Sequence, residues 1–558
     1  MLRLTGAELT IRLLENQGVT CIAGIPGGFN LPLYDALGRS GAIRHVLARH
    51  EQGAGFIAQG MARVSGRPGV VFATSGPGAT NTLTALADAR MDSVPLVCIT
   101  GQVPQSMIGT DAFQEVDIYG MSIPATKHNF LVRSPEELPR VIAEAFSIAV
   151  SDRPGPVLVD IPRDVQVAPV EVDGLPEPGV ATPMPTPDSA ALARAAELLN
   201  AAERPLLLLG GGTSSPEAAA AVLEFMEQQR IPAVMSLRGL GVVPHGHELA
   251  VGMLGMHGAR ASNMLVEECD VLVVVGARLG DRATGRLDSF CPKSGLIHID
   301  IDASEVGKLL MPQVGLTADA SQALRALMPL MKPRDRNAWL ARVDARKATH
   351  GLRFDREDDI LSPYGIIRHV AKLVGDDAVI ATDVGQHQMR VAQAYPMTQP
   401  RQWLTSGGLG TMGFGLPAAI GAALAKPEET VVCFSGDGSL LMNIQEMATA
   451  VENRANVKII LCNNEGLGLV QQQQDLFFGG NLFGSTFTAA TDFVRIAQGF
   501  GMPAYSLNSE RDPRAVLQKA LKNPGPCLLE VRMSAEEKVF PMVPPGAANS
   551  QMIEGVNA

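Results

Sequence analysis

A chain of 558 residues exceeds one ordinary domain and has room for three, each able to bury its own core. Its 46% hydrophobic and 18% charged residues, with 57 glycines spread throughout, exclude a disordered chain and fit a globular α/β protein with many tight strand-to-helix turns. A formal net charge of −11 leaves no electrostatic footprint for nucleic acid or an anionic membrane, so small molecules and proteins are the expected partners.

From residue 4 to about residue 170, short apolar runs alternate with helical stretches: CIAGIPGG, IRHVLARHE, GVVFATSGPGATN, PLVCITG and GPVLVDIPRD. This βαβ rhythm predicts a parallel sheet. The Pro-rich stretch GLPEPGVATPMPTP, residues 174–187, reads as a linker. The rhythm resumes over residues 188–331 with RPLLLLGGGTS, IPAVMS, DVLVVVGARLGDR and GLIHIDID, giving a second doubly wound sheet. A polar, basic segment at 332–359 separates it from a third unit, 360–540, which contains DDAVIATDVGQHQ, ETVVCFSGDGS, VKIILCNNEG and PCLLEVRM. A Pro/Gly-containing tail, 541–558, follows. The expected fold class is α/β, with three doubly wound parallel-sheet domains at 1–173, 188–331 and 360–540, the first and third sharing the same coarse rhythm.

Seven scattered cysteines with no CxxC pair or other metal-ligand spacing read as buried and reduced. The start MLRLTGAELT lacks a basic region followed by an apolar run, and no apolar stretch reaches membrane-spanning length. A bacterial cytoplasmic setting is the expectation.

The strongest chemical signal is SGDGSLLMNIQEMATAVENRANVKIILCNNEG. TVVCFS reads as a buried strand, SLLMNIQEMATAVEN as a crossover helix and VKIILCN as the next strand, together one βαβ unit. Parallel neighbours leave their carboxyl ends side by side, so Asp437 and Asn464 face one crevice at the sheet edge. Mg²⁺ takes octahedral oxygen ligands and uses one or two protein carboxylates alongside phosphate oxygens, which suits one Asp, one Asn amide and a nearby carbonyl. Gly436 and Gly438 permit close backbone approach, and the helix N-terminus behind them favours phosphate. A GDG alone is an ordinary strand-to-helix turn; coupling to an Asn-Asn pair across a full crossover makes it specific.

The segment resembles the thiamine diphosphate signature. The resemblance implies Asp437 and Asn464 as side-chain Mg²⁺ ligands and Gly466 as the carbonyl ligand, with Ser439 beside them. DVGQHQ resembles the family's second diphosphate-contacting loop, through Gln386 and His387. Thiamine chemistry needs a proton removed from the thiazolium C2, which the aminopyrimidine does once a carboxyl group hydrogen-bonds its ring nitrogen. Glu51, where IRHVLARH gives way to EQGAGFIAQGMAR, is the residue the resemblance implies; standing alone it reads as a helix N-terminal Glu favoured by the dipole. TSGGLGTMGFGLPAAIGA matches the loop that bends the cofactor over a bulky apolar residue, here Met412. GIPGG, through Gly27 and Gly28, resembles the backbone loop beside the thiazolium.

GTDAFQEVD, TKHNFLV, RPGPVLVDIPRDVQ, GMLGMHG, HIDIDASEVGK and QWLTSGGLGTMGFG extend the likeness over essentially the whole chain to acetolactate synthase (acetohydroxyacid synthase) large subunits. The three domains are then of pyrimidine-binding, FAD-binding-like and diphosphate/Mg²⁺-binding type. The implied reaction decarboxylates pyruvate and joins the two-carbon hydroxyethyl unit to a second pyruvate or to 2-oxobutyrate, giving acetolactate or acetohydroxybutyrate and opening branched-chain amino-acid synthesis. Arg282 matches the acceptor-binding arginine, whose guanidinium fork suits a carboxylate; Phe113 and Gln114 match the same pocket and Met256 its mouth. FAD contacts are implied at Gly211, Gly212, Met256, His257, Arg278, Asp300 and Asp319, although GxGxxG is absent and bottom-up GGG after LLLL only suggests a nucleotide loop. The flavin is expected to be structural, since the net reaction transfers no electrons.

Two departures stand out. Gln473 occupies a place where many members carry Trp, which weakens the packing surface for the extra methylene of 2-oxobutyrate and, with PMVPPGAAN, resembles the bacterial isozyme I type. Arg163 stands in IPRD where Lys is usual. The resemblance further implies a homodimer or homotetramer with active sites between subunits, and a small regulatory subunit. Other readings left open are pyruvate oxidase or a simple 2-oxo acid decarboxylase, which Arg282 and Phe113-Gln114 argue against, and a catalytically idle cofactor-binding homologue.

Overall fold

A computed structural model describes residues 2–184 and 186–555; Met1, Pro185 of the 174–187 linker and residues 556–558 of the tail lie outside the described residues. The unbroken apolar runs become central strands. Pro156–Pro162, Pro205–Leu209, Val271–Val275 and Val431–Gly436 are buried at every residue, as strands covered by helices on both faces must be.

Three six-stranded sheets result, parallel throughout. The first runs, in spatial order, Arg44–Leu47, Cys21–Gly24, Gly69–Ala73, Leu96–Gln102, Pro156–Pro162, His128–Leu131. The second runs Ala250–Met253, Ala233–Met235, Pro205–Leu209, Val271–Val275, Gly295–Asp300, Val314–Thr317. The third runs Trp403–Leu404, Val379–Thr382, Val431–Gly436, Val457–Asn463, Cys527–Arg532, Ala504–Ser506. Numbering strands within each sheet, the first and third share the order 2-1-3-4-6-5, whereas the second has the dinucleotide-binding order 3-2-1-4-5-6. A short antiparallel pair, Leu2–Thr5 with Pro169–Val172, closes the first unit.

Two elements differ from the sequence expectation. The crossover after Val431–Gly436 is not one helix: Asp437–Leu441 and Glu446–Glu452 are separate. At the break the Asn443 amide donates to the Gly413 carbonyl at 2.7 Å, tying the crossover to the loop before the helix Gly415–Ala425. The polar segment 332–359 carries the helix Asn337–His350, anchored on the second unit by the Trp339 indole donating to the Pro205 carbonyl at 2.9 Å and by Arg342 and Arg346 on Glu268.

The first and third sheets share one hydrophobic core, in which Ile57 and Ala58 of helix Glu51–Ser65 meet Leu416, Ala419 and Ile420 of helix Gly415–Ala425. The helices approach this closely because glycine stands at each crossing. A Cβ on Gly60 would lie 2.0 Å from the Ala418 carbonyl oxygen, and one on Gly421 1.9 Å from that of Ile57. Gly421→Ala should therefore force the helices apart and lower stability by roughly 1–3 kcal/mol, the usual cost of overpacking. A denaturation midpoint equal to wild type would show that the crossing yields freely.

Candidate functional site

The C-terminal sheet places a cavity at its switch point, where chains leaving Val379–Thr382 and Val431–Gly436 diverge. Its wall combines Gln386 and His387, opening the helix Gln386–Ala394, with Gly436, Asp437, Gly438 and Ser439, with Asn464 and Gly466 after the next strand, and with Met412 and Gln473. About 680 Å³ of open space lies among these residues. Every residue that the sequence assigned to the diphosphate and Mg²⁺ lines this one cavity.

Asp437 is buried, and its carboxylate accepts from the Gly438 amide at 2.8 Å and the Gly466 amide at 3.0 Å. Burial raises its pKa while these amides oppose the rise. The amide at Gly466 fixes the 464–466 turn beside the carboxylate. Gly468 keeps the approach open: a Cβ there would stand 2.4 Å from the Asn464 amide nitrogen and 2.7 Å from Gln386 Oε1. The donor set is thus one carboxylate with amide and carbonyl oxygens, the kind a hydrated Mg²⁺ accepts. Among the described residues no cluster of three or more His, Cys, Asp or Glu side chains competes for a metal.

His387 packs against glycine on both sides: Cβ atoms on Gly385 and Gly436 would lie 2.8 and 2.9 Å from its Cε1. Burial drives its pKa down to about 3, so the ring is neutral, and Nε2 has no partner. Ser439 Oγ donates to the Val384 carbonyl at 2.7 Å, tying the Asp437 helix to the Gln386 loop. Asp383 accepts from the amides of Val384, Gly413 and Gly415 at 2.8–3.1 Å and so brackets Met412 from its C-terminal side.

The N-terminal sheet builds a second half at the equivalent switch point. Gly27 donates to Asn30 Oδ1 at 2.7 Å and abuts Thr74, where a Cβ would come within 2.5 Å of Cγ2; Gly28 faces open space. Glu51 opens its helix and accepts from the Asn81 amide at 2.9 Å. Gln114 adopts φ +61°, a costly conformation for a non-glycine residue, with its backbone pressed to Gly76. Neighbouring Phe113 is 81% exposed, and Arg163, also exposed, opens the short helix Arg163–Val167 after the strand Pro156–Pro162. None of these residues reaches the cavity of the third sheet, whose wall comes from residues 384–533 alone.

At the switch point of the second sheet, Gly211 and Gly212 follow its first strand and Arg278 its fourth. The backbones touch here: a Cβ on Gly212 would lie 2.8 Å from Gly276 Cα. Asp300 ends the fifth strand, buried with its pKa raised by that burial, and Asp319 caps the helix after the sixth, accepting from the Gln322 amide at 3.1 Å. Arg282 sits apart from these, exposed and paired with Asp281 at 2.7 Å. It shares a surface hollow with Met256, Val543 and Asn549, and His257 Nδ1 contacts the Pro541 carbonyl at 3.0 Å behind it. The tail connects this hollow to the first cavity, since Gln472, beside Gln473, donates to the Val539 carbonyl and Val543 donates to that of Met256.

Some participants carry no motif. Glu446, fully buried, accepts from the Arg49 and His50 amides at 3.0 Å each and from Thr449 Oγ1 at 2.7 Å, pinning the turn that presents Glu51. Asp88 accepts from Ser406 and Thr411, holding the other side of Met412. Arg390, Cys462 and Met533 also line the cavity. No local spacing marks them, because each acts across a tertiary contact. All seven cysteines are unpaired, Cys21 and Cys462 half-buried and the rest buried. No helix among the described residues is long and apolar enough to cross a membrane.

Two like sheets open switch-point crevices, one carrying a carboxylate and the other a cavity beside a glycine-flanked helix N-terminus, an arrangement that suits an enzyme with a phosphate-bearing cofactor. Comparison with known families agrees. Models of the thiamine pyrophosphate enzymes match all three units: the N-terminal TPP binding domain over residues 4–121, the central domain over 192–327 and the C-terminal TPP binding domain over 383–531. The acetolactate synthase isozyme 1 large subunit of Escherichia coli K12 is 56% identical over 99% of this chain and 98% of its own length. The isozyme 2 large subunit of that organism is 46% identical (99% and 100%), and the chloroplastic acetolactate synthase 1 of Nicotiana tabacum 44% (98% and 84%). The chain belongs to the acetolactate synthase large-subunit family of thiamine pyrophosphate enzymes.

Burial pushes the His257 pKa down to about 4. The folded state then binds fewer protons than the unfolded chain between pH 6.5 and 4, so stability falls as pH drops through that window, by up to ~1.4 kcal/mol per pH unit. His257→Gln should flatten the stability–pH profile of unliganded protein by that amount between pH 4.5 and 6.5. Parallel profiles would place His257 in solvent.

Proposed function

We propose that this chain is an acetolactate synthase catalytic subunit using thiamine diphosphate, Mg²⁺ and FAD. The observation that carries the reading is the convergence of Asp437, Asn464, Gly466, Gln386 and His387 on one cavity at a sheet switch point. Asp437, Asn464 and the Gly466 carbonyl would hold Mg²⁺; Gln386, His387, Ser439 and the glycine-lined helix ends would hold the diphosphate. Thiamine diphosphate, when bound, supplies an acidic thiazolium carbon and an electron sink for decarboxylation of a 2-oxo acid. Glu51 offers its carboxyl to the pyrimidine end, held there by Asn81 and the Glu446-pinned turn. Met412 supports the bent cofactor, Gly27 and Gly28 leave backbone room beside it, and Gln114 and Phe113 border the substrate.

Arg282 orients the acceptor carboxylate, with Met256 at the mouth, Arg163 on the rim of the N-terminal half, and Gln473 presenting a polar amide where a larger apolar surface would favour 2-oxobutyrate. FAD suits the second sheet, whose strand order and Gly211–Gly212 turn meet the usual demands of a dinucleotide, with Arg278, Asp300, Asp319 and His257 around it. Because Glu51 does not share a cavity with Asp437 within one chain, the working unit is a homodimer or homotetramer whose sites form between subunits. The exposed Leu441 and Met442 beside the Asp437 helix, and Phe113 on the other half, supply apolar surface for that contact. A small regulatory subunit joins it, as the large-subunit names of the relatives suggest.

Purified protein given pyruvate, Mg²⁺ and thiamine diphosphate, with and without FAD, should form acetolactate; acetaldehyde as the main product would indicate a decarboxylase. Glu51→Gln should cut turnover by roughly 10²–10⁴-fold, the share of a general acid–base group. In competition, pyruvate and 2-oxobutyrate should be used nearly equally, and a large bias to 2-oxobutyrate would overturn the reading of Gln473.

A further inference from the structure

Arg390 lies one turn into the helix Gln386–Ala394 and on the wall of the diphosphate cavity, alongside Gln386, His387, Asp437 and Cys462. It is 5% exposed. Its Nη2 donates to the Glu537 carbonyl at 2.9 Å, while Nε has no partner. The nearby Tyr364 hydroxyl gives its own hydrogen to Gln393 at 2.8 Å and offers its oxygen to Arg390, and the Glu537 carboxylate pairs with Arg356 at 3.3 Å, acting on Arg390 only at longer range. Arg63, also buried, is paired with both Asp88 and Asp92, whereas Arg336, 2% exposed and away from the cavity, donates only to the Leu199 carbonyl, so what sets Arg390 apart is its place on the cavity wall.

A buried cation without a counter-charge is costly, and on a cavity wall an anionic ligand can supply that charge. Among the described residues the only carboxylate on the cavity wall is that of Asp437, already directed at two backbone amides. A second buried, unpartnered nitrogen, His387 Nε2, stands on the same wall at the same helix N-terminus. The guanidinium and the free amides of a nine-residue helix therefore face one volume and favour an anion, with the His387 ring beside them.

We propose that Arg390 is a cofactor-binding residue whose missing counter-ion is the diphosphate itself. This rests on the thiamine diphosphate reading and adds a charge to it. A diphosphate ester, even with Mg²⁺ bound, would remain net negative beside the Asp437 carboxylate, and Arg390 would offset that excess charge. Burial also lowers the pKa of Arg390, the sign expected of a cation waiting for a partner.

The test is calorimetric binding to full-length protein freed of cofactor, using thiamine diphosphate with Mg²⁺, inorganic diphosphate with Mg²⁺, and thiamine. Wild type that fails to bind thiamine diphosphate would sink the cofactor reading itself. Given that binding, Arg390→Met should weaken thiamine diphosphate and inorganic diphosphate alike by about tenfold or more, ~1.4 kcal/mol per decade. Thiamine should be unaffected, and Arg390→Lys should retain most of the affinity. The melting temperature of the unliganded Arg390→Met protein should stay level or rise, because an uncompensated charge has been removed, while the rise on adding cofactor shrinks. Equal affinities for thiamine diphosphate, an equal loss for thiamine, or an unliganded protein as destabilised as the liganded one would each overturn the proposal. Should Arg390→Met not fold, Arg390→Gln is read the same way. Failure of both beside a folded Arg390→Lys would assign the charge to the fold and refute the proposal.

Discussion

The first and third units are tied together at one buried charge, that of Arg63. Its guanidinium, almost wholly buried, bridges Asp88 and Asp92 at 3.1 and 3.0 Å, donates to the Thr405 carbonyl at 3.1 Å and stacks over Phe414 at 4.8 Å. The two acids are not equivalent. Burial and the neighbouring Asp92 push the Asp88 pKa up. Burial pushes Asp92 the same way, but Arg238 and Arg63 outweigh it and hold that carboxyl below its ordinary value. Both carboxylates then spend their remaining lone pairs on one loop: Asp92 accepts the Gly407 and Gly408 amides, Asp88 the Ser406 and Thr411 hydroxyls. Removing one member would strand a charge in the interior, a loss of about 3–5 kcal/mol. The same network fixes the residue before Met412, so the shape of the cofactor pocket is set from a different domain of the chain.

Each sheet opens a crevice at its switch point, and one architecture furnishes the three crevices differently. The N- and C-terminal sheets have identical strand order, so their switch points open equivalent crevices, yet one is furnished with Glu51 and glycine turns and the other with Asp437, Asn464 and a helix N-terminus. The middle sheet reverses order one strand later and presents a glycine crevice at its switch point. Function differs with what stands at the crevice.

What the sequence discloses follows from burial. Central strands such as PVLVDIP and VLVVV declare themselves because both faces are covered and no polar alternation interrupts them. The strands it does not mark, Ala250–Met253, Val314–Thr317, Trp403–Leu404 and Ala504–Ser506, all lie at sheet edges and span two to four residues, too short to carry much apolar signal. The diphosphate half of the site is legible for a related reason: Gly436-Asp437-Gly438 and Asn464 belong to one βαβ unit, and chain spacing encodes their proximity. Glu446 beneath the Glu51 turn, Asp88 behind Thr411 and Arg390 on the cavity wall were not legible, since their chemistry comes from segments brought together only by folding. The break in the crossover helix belongs with them, for nothing local in LMNIQE announces that Asn443 will turn toward Gly413.

The glycine-to-backbone contacts at Gly60 and Gly421 bear on the order in which the molecule is made. Ile57 and Ile420 belong to a single core yet are separated by most of the chain, so neither outer unit can finish burying its face until the other has been synthesised. The middle unit has cores of its own and suffers no such delay. Long-range closure of this kind is slow, because the entropy of a large loop is lost before any contact rewards it. A middle unit that folds first shortens the effective loop, bringing its two ends near one another before the outer units meet. The inserted sheet, whatever it binds, then acts as a scaffold for the assembly of its neighbours.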